Sequence, residues 1–415
     1  MPVDQREGAA AAMREADVVI IGAGAAGLSL AHRLAEPGRG PGPGSVVLLD
    51  APPGPLRPPR RTWCFWEPGP GRYDDAVTAT WDSLRVHGPD GAATCQEIAP
   101  LRYKMIRSDD FEDLVHARLA AAPHLTRHRA VVERVTSAGR RSCVHLRDHE
   151  GREDVLQARY VFDSRPPRTL PPARTCLLQH FRGWFVRTRR PVFRTGTADL
   201  MDFRTPQPDR GLAFFYVLPT STTTALVEYT QFSAGVLPPQ AYDRALRGYL
   251  AEVLTTGAHE VTDTEAGVIP MTDGRFARRT APGVYPIGAA GGAVRPSTGY
   301  AFAAIQRQTT AVADALHAGR EPLPPPPHSR RSLTMDAILL RGLASGRVDG
   351  AALFARLFAR VPTERLLRFL DGQTPLHQDL RIGLQTPVLP MVRSALALAA
   401  RPGRQASAVF TGPRS

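Results

Sequence analysis

Asp17-Val-Val-Ile-Ile-Gly-Ala-Gly-Ala-Ala-Gly27 is the stretch that decides the fold. Asp17 to Ile21 is a short apolar run suited to a parallel strand buried on both faces. Gly22-Ala-Gly-Ala-Ala-Gly27 follows at once, and Leu28-Ser-Leu-Ala-His-Arg-Leu34 has helical spacing. A lone G-x-G-x-x-G says little, but between a strand and a helix it is a dinucleotide fingerprint. Gly22 permits the tight turn, Gly24 lets the backbone approach a pyrophosphate, and Gly27 lets the helix lie close on the strand. Ala25 and Ala26 complete the loop, and the helix amino terminus offers unpaired N–H groups to phosphate. A second apolar strand, Ser45-Val-Val-Leu-Leu49, ends in Asp50, where a carboxylate can accept hydrogen bonds from a ribose hydroxyl pair.

A second glycine-rich transition lies far along the chain. Gly283-Val-Tyr-Pro-Ile287 reads as a strand, and Gly288-Ala-Ala-Gly-Gly292 as a flexible loop. A helix is expected from Thr298-Gly299-Tyr300 onward, so Gly288, Gly291, Gly292, Thr298 and Gly299 are candidate cofactor contacts. Two such transitions suit one long, bent cofactor, and FAD is the expectation. Many flavoproteins open the second loop with Gly-Asp, whereas here Gly288 is followed by Ala289. Ala158-Arg-Tyr-Val-Phe-Asp-Ser-Arg165 reads as a strand and turn beneath the cofactor, with Asp163 and Arg165 as candidate anchors.

Composition sets the outer bounds. A chain of 415 residues, 43 % hydrophobic, has material for two lobes and a sizeable core. Its 52 basic and 39 acidic residues give a formal charge of +13, which fits an anionic membrane surface better than nucleic acid, since no nucleic-acid-binding signature occurs. Cys64, Cys95, Cys143 and Cys176 form neither a C-x-x-C pair nor a Cys/His cluster, so no metal centre is expected. The first 16 residues are polar and mixed in charge, and Met13 is a candidate alternative start. No signal peptide and no membrane-spanning run are read, so a cytoplasmic protein, peripheral on the inner face of the cell membrane, is the expectation.

Further stretches carry a family resemblance. They are Thr62-Trp-Cys-Phe-Trp66, Met201-Asp-Phe-Arg204, Phe214-Phe-Tyr-Val-Leu-Pro219, Leu226-Val-Glu-Tyr-Thr230, Gly291-Gly-Ala-Val-Arg-Pro-Ser-Thr-Gly-Tyr300, Arg368-Phe-Leu-Asp-Gly-Gln-Thr374 and Arg381-Ile-Gly-Leu-Gln-Thr-Pro387. Taken together, in order and over nearly the whole chain, they resemble the bacterial lycopene β-cyclases. The resemblance implies acid–base cyclisation of the linear end groups of lycopene, or another linear carotenoid, to β-rings at a reduced FAD. NADPH or NADH would be the electron source, with no net redox change. It makes Glu228 the essential acid. Plant members carry a second acid at the next position, where this chain has Tyr229, so one carboxylate does the work or another group helps.

The chemistry asks for particular surroundings. An alkene is a very weak base, so the acid must be neutral near physiological pH, and apolar burial raises a Glu pKa in that direction. Val227 and Tyr229 share the strand face opposite Glu228, so alternation alone leaves open whether Glu228 faces a pocket or solvent. Asp202 is the next candidate acid. Carbocations are stabilised by aromatic faces. Trp63, Trp66, Phe215, Tyr229 and Tyr300 are the expected pocket, with core packing the alternative for each aromatic cluster.

In Ala351-Ala-Leu-Phe-Ala-Arg-Leu-Phe-Ala-Arg360, residues Leu353, Phe354, Leu357 and Phe358 share one helical face. Leu384 to Ala400 is apolar but broken by Pro387 and Pro390. A helical lid over the substrate and a membrane-docking surface are both open readings. The expected architecture is α/β, a Rossmann-like FAD domain (14–170 plus 270–320), a β-rich substrate lobe (171–269) and a helical carboxy-terminal region (321–415). An isoprenoid-chain reductase, an FAD monooxygenase of the same fold, and a flavin-free prenyl-lipid carrier are the rival functions.

Overall fold

The computed structural model describes residues 14–36, 40, 42–139, 141–148 and 150–400; Met13 lies outside them. The strand anticipated at Asp17–Ile21 is the core of Arg14–Ile21, held between parallel neighbours Val46–Asp50 and Glu153–Asp163. Leu125–Ala138 and Val284–Pro286 extend the sheet in parallel on either side, and Arg141–Asp148 runs antiparallel against both long strands. Val18 and Ile20 are sealed against the helices Ala25–Ala35, Ser108–Leu119 and Phe302–His317, while Val19 and Ile21 meet a second cluster around Leu49, Val144 and Val161. Each such side chain stabilises the fold by roughly 1.5–3 kcal/mol. Both faces are covered, so the run shows no polar alternation. Ile21 lies opposite Asp163, and Asp163 opposite Pro286, so three strand ends share one edge. Open α/β sheets bind ligands at that edge.

The second sheet has seven strands in the spatial order His259–Thr272, Cys176–Thr188, Thr224–Ser233, Leu212–Pro219, Thr197–Asp202, Ser83–His87 and Ala93–Glu97. The helix Pro239–Gly248 covers one face. The other face shares a large core with the helices Arg330–Ala344, Gly350–Arg360 and Thr363–Leu370 and with a small sheet of Thr62–Pro68, Leu101–Arg107 and Val77–Trp81. Two expected boundaries therefore move. Residues 83–97, assigned above to the cofactor domain, complete the substrate sheet, and the strand His259–Thr272 runs across the 269/270 boundary. Both are short-range readings corrected by long-range pairing.

The carboxy-terminal helices fill the core rather than append to it. Leu353, Phe354, Leu357 and Phe358, candidates above for membrane contact, are 2–8 % exposed. Their helix packs against the sheet so closely that a Cβ on Gly350 would come within 2.7 Å of Leu212 Cδ2. The amphipathic pattern was real, and protein occupies its apolar face. Exposed apolar residues lie instead on and between Leu376–Gly383 and Val388–Ala399, where Leu380, Leu384, Leu389 and Leu396 are all more than half exposed. These two helices meet at a bend of 112°. Pro390 falls in the first turn of the second helix, where its missing N–H breaks no hydrogen bond. Among the described residues no single helix is long and apolar enough to cross a membrane.

Candidate active site

The first glycine loop separates two physical demands. Gly22 has φ +96°, in the region that favours glycine, and its N–H donates to the Leu49 carbonyl at 2.8 Å. A Cβ on Gly27 would overlap the Gly22 carbonyl oxygen, so the fold itself requires that glycine. Around Gly24 a Cβ would meet nothing within 4 Å, and no side chain caps the helix that begins after it. The open space lies over free helix N–H groups, which is a cradle for phosphate. The second loop closes on the first, since a Cβ on Gly288 (φ +63°) would lie 2.7 Å from the Cβ of Ala26. Ala25 and Ala26 are buried at this contact. Gly288 N–H donates to Gln308 Oε1 at 2.8 Å, and Gly291 and Gly292 turn the loop back, Gly292 with φ +77°. The paired loops fit a bent dinucleotide such as FAD.

Four of the expected cofactor contacts have partners within the protein. Asp50 is buried at its strand end, where its Oδ2 takes Arg57 at 3.3 Å and Arg127. Asp163 pairs with Arg165 at 2.7 Å, and Arg165 also donates to the Val132 carbonyl at 2.8 Å, so this carboxylate closes a turn. The late helix begins at Phe302 rather than at Thr298. Thr298 and Gly299 sit in a tight turn, with Gly299 (φ +74°) donating to the Arg295 carbonyl at 2.9 Å. Sequence reasoning missed Ser164, whose hydroxyl donates to the Ile21 carbonyl at 2.7 Å and fixes the turn at Gly22.

Glu228 lies mid-strand, with Tyr216 directly opposite on one neighbouring strand and Gly183 on the other. Beyond Gly183 the next strand puts Glu265 in the same row. The order across the sheet is thus Tyr216, Glu228, Gly183, Glu265, all on one face. Glu228 is buried, and the Thr230 hydroxyl donates to its Oε1 at 2.7 Å. Burial, reinforced by the neighbouring Glu265, holds its carboxyl well above the usual range and so favours its neutral form. Glu265 is partly exposed yet densely surrounded, and the Thr62 hydroxyl donates to it at 2.7 Å. Burial pushes its carboxyl up to about 7, against the opposing pull of Thr62 and Arg107. Sequence reasoning missed Glu265. The one available signal was Gly183, since a glycine inside an aromatic strand marks a close approach.

Over this row lie Cys64 and Trp66 from Thr62–Pro68, Tyr103 from Leu101–Arg107, and Tyr300. The Tyr103 and Tyr300 hydroxyls are 2.8 Å apart, and Trp66 meets Tyr300 edge-on at 4.8 Å. Burial raises the Cys64, Tyr103 and Tyr216 pKa values, so all three are neutral at neutral pH. Cys64, Trp66 and Tyr300 also line a narrow, half-open cleft that runs to Phe302, Arg295 and His328. The Trp66 indole N–H is buried with no partner among the described residues. Such a donor costs about 1–3 kcal/mol unless a ligand accepts from it.

The other expected pocket residues lie elsewhere. Trp63 points to the opposite side of its strand, against Phe111 and Phe302 at 5.5 and 6.0 Å. Phe215 and Tyr229 are on the reverse face of the sheet, where Phe215 stacks on Tyr249 at 3.8 Å and Tyr229 abuts Phe215 at 5.1 Å. Asp202 is on that reverse face too, bonded to Arg204 and accepting from Tyr249 at 2.6 Å. Strand alternation, which set these residues opposite Glu228, prevails over their nearness in sequence.

Solved structures of similar fold are flavoproteins and related enzymes. A geranylgeranyl bacteriochlorophyll reductase-like protein from Thermoplasma acidophilum is 13 % identical, with a TM-score of 0.60 over 93 % of this chain and 100 % of that one. The p-nitrophenol 4-monooxygenase of Pseudomonas putida is 15 % identical, with a TM-score of 0.59 over 95 % and 100 %. The rebeccamycin biosynthetic enzyme RebC with reduced flavin is 16 % identical, with a TM-score of 0.53 over 94 % and 76 %. At these identities the likeness is one of fold, and it establishes the flavoprotein monooxygenase and reductase architecture. No curated protein matches the chain. The family model described as lycopene cyclase protein matches residues 17–396, spanning both glycine loops and the Glu228 sheet, and the chain belongs to that family.

Proposed function

We propose that the protein is a lycopene β-cyclase, closing the linear ends of lycopene to β-rings to give γ-carotene and β-carotene. The observation that carries this reading is Glu228, a carboxyl held neutral by burial on the sheet face that looks toward Trp66, Tyr103 and Tyr300. Its O–H bond breaks as a C–H bond forms at the terminal alkene, leaving a tertiary cation. The next double bond attacks that cation and closes the ring, and loss of a ring proton gives the alkene. Thr230 orients the acid through its bond to Oε1. The aromatic faces stabilise positive charge without attacking it. Cys64, kept as thiol rather than thiolate, is a poor nucleophile toward the cation. The loops at Gly22–Gly27 and Gly288–Gly292 would hold FAD, which in its reduced form, with NADPH or NADH as the electron source, would supply negative charge to offset the cation.

The test is ring formation from lycopene with the reductant measured alongside. Cyclic product is expected to need NAD(P)H or dithionite, with far less than one equivalent oxidised per ring. One equivalent consumed per product would favour the isoprenoid-chain reductase instead, and oxygen uptake the monooxygenase. Protein purified without yellow colour would favour the carrier.

Lycopene dissolves only in lipid, so the enzyme must meet a membrane, and we place it on the inner face of the cell membrane. The docking surface we favour is the bent pair of helices and the turn between them, carrying Leu380, Leu384, Leu389 and Leu396, with Arg381 and Arg393 exposed among them. Leucines enter the acyl boundary while the +13 charge draws the protein to anionic lipid. Leu389→Ser with Leu396→Ser is expected to weaken binding to anionic vesicles at least about tenfold, or about 1.4 kcal/mol. Added salt should weaken the parent's binding as well. Unchanged sedimentation of the double variant with vesicles would remove these helices from the interface.

A further inference from the structure

Gly183 is where two acids meet. A Cβ placed on it would lie 3.5 Å from Glu228 Cβ and 3.2 Å from Glu265 Cγ. Both side chains therefore lean over the same glycine from the strands on either side of it, and Leu226 Cδ1, 2.8 Å from that Cβ position, packs beside them. A larger residue at 183 would collide with Leu226 and press on both acids. Glu265 is approached by the Thr62 hydroxyl and Cys64 from Thr62–Pro68, by Arg107 from Leu101–Arg107, by Asp263 on its own strand and by Glu228. Arg107 is itself bonded to Asp263 at 2.6 Å, so its charge is largely spent there. The cyclisation in turn poses an unfilled requirement: one group must add a proton and a group must remove one from the ring.

We propose that Glu265 is the second catalytic residue of the cyclase reaction, the base that takes the ring proton after Glu228 has delivered the first; this rests on the cyclase reading above. In the resting pair Glu228 holds the one proton and Glu265 is a carboxylate. Glu228 protonates the terminal alkene and becomes a carboxylate. After ring closure a C–H bond beside the ring cation breaks, its electron pair forms the ring double bond, and the proton goes to a Glu265 oxygen. The pair again holds one proton, which returns to Glu228 before the next turnover. No oxidant or reductant is consumed, in keeping with an isomerisation. The arrangement supplies in trans, from a strand two places away, the second acid that Tyr229 does not provide at the adjacent position.

The test is Glu265→Gln, purified with its flavin and assayed for β-ring formation beside the parent from acid to alkaline pH. The parent should lose activity on the acid side near neutrality, where the pair takes up a second proton and no base remains. Glu265→Gln should fall on the order of 10²-fold in kcat and lose that acid limb, with flavin content unchanged. A variant that keeps the parent's rate and its acid limb overturns the proposal while leaving the cyclase reading intact. A parent that forms no rings overturns both. If the glutamine variant does not accumulate, Glu265→Asp decides. Aspartate ionises at lower pH than glutamate, so the acid limb should move down, and an unmoved limb overturns the role.

Discussion

Glu228→Gln is expected to abolish ring formation while leaving the protein folded, yellow and at least as stable as the parent. Glutamine keeps the shape of the neutral acid and can still accept from Thr230, but it has no proton acidic enough for an alkene. Loss of a positioned general acid costs on the order of 10²–10⁴ in rate, and the sealed surroundings of Glu228 leave little room for water to replace it. The stability half of the expectation comes from the same burial. The native state holds the Glu228 proton to higher pH than the unfolded chain, which releases it near the ordinary carboxyl range. More protons bound in the native state means that stability falls as pH rises above that ordinary range. Glutamine removes this decline, so Glu228→Gln should melt no lower than the parent at neutral pH and should gain on it as pH rises. Thermal melts and carotenoid product analysis on one flavin-normalised preparation check both. Rings formed at near the parent rate would assign the proton to another group, and a strongly lowered melting temperature would contradict the neutral state of Glu228.

Gly24→Val is expected to give folded but colourless protein. Gly24 has extended backbone angles, φ −86° and ψ −171°, which valine adopts readily, and the space above it is open. Nothing in the protein requires glycine there, so its absence of a side chain matters to whatever lies over the helix. The isopropyl group would stand between the free N–H groups and the pyrophosphate. Flavin affinity should fall at least about tenfold, or about 1.4 kcal/mol, read as flavin absorbance per chain after gel filtration. Gly27→Val is the contrast, since its Cβ would overlap the Gly22 carbonyl oxygen and the chain should fail to accumulate. Full flavin occupancy in Gly24→Val would move the phosphate site elsewhere.

The first loop was legible because every constraint on Gly22, Gly24 and Gly27 is local. Glu228 was legible only through the family pattern. Residues Ala225 to Phe232 are all buried, so no contrast of polarity distinguishes the pocket face from the reverse face. Phe215 and Tyr229 were misplaced for that reason, while Trp66 and Tyr300 lie over the Glu228 row. Glu265 hides for a related reason: its link to Glu228 passes through strand register with residue 183. Leu353, Phe354, Leu357 and Phe358 show a different limit, because an apolar helical face looks the same whether protein or lipid covers it.

The path of the chain through its sheets carries a consequence for biosynthesis. Residues 14–50 begin the first sheet, 83–97 supply an edge of the second, 125–163 return to the first, 176–272 build the rest of the second, and 284–286 finish the first. Neither sheet can close as the chain leaves the ribosome until most of it has been made. The second glycine loop emerges only after both sheets have their strands. Flavin capture through both loops is therefore expected late in assembly, since loop-closure entropy makes such distant pairings slow to form. A nascent chain stalled before residue 284 should carry an unpaired edge, attract chaperones and hold no flavin, so supply of the cofactor bears on the yield of finished enzyme more than on its rate of synthesis.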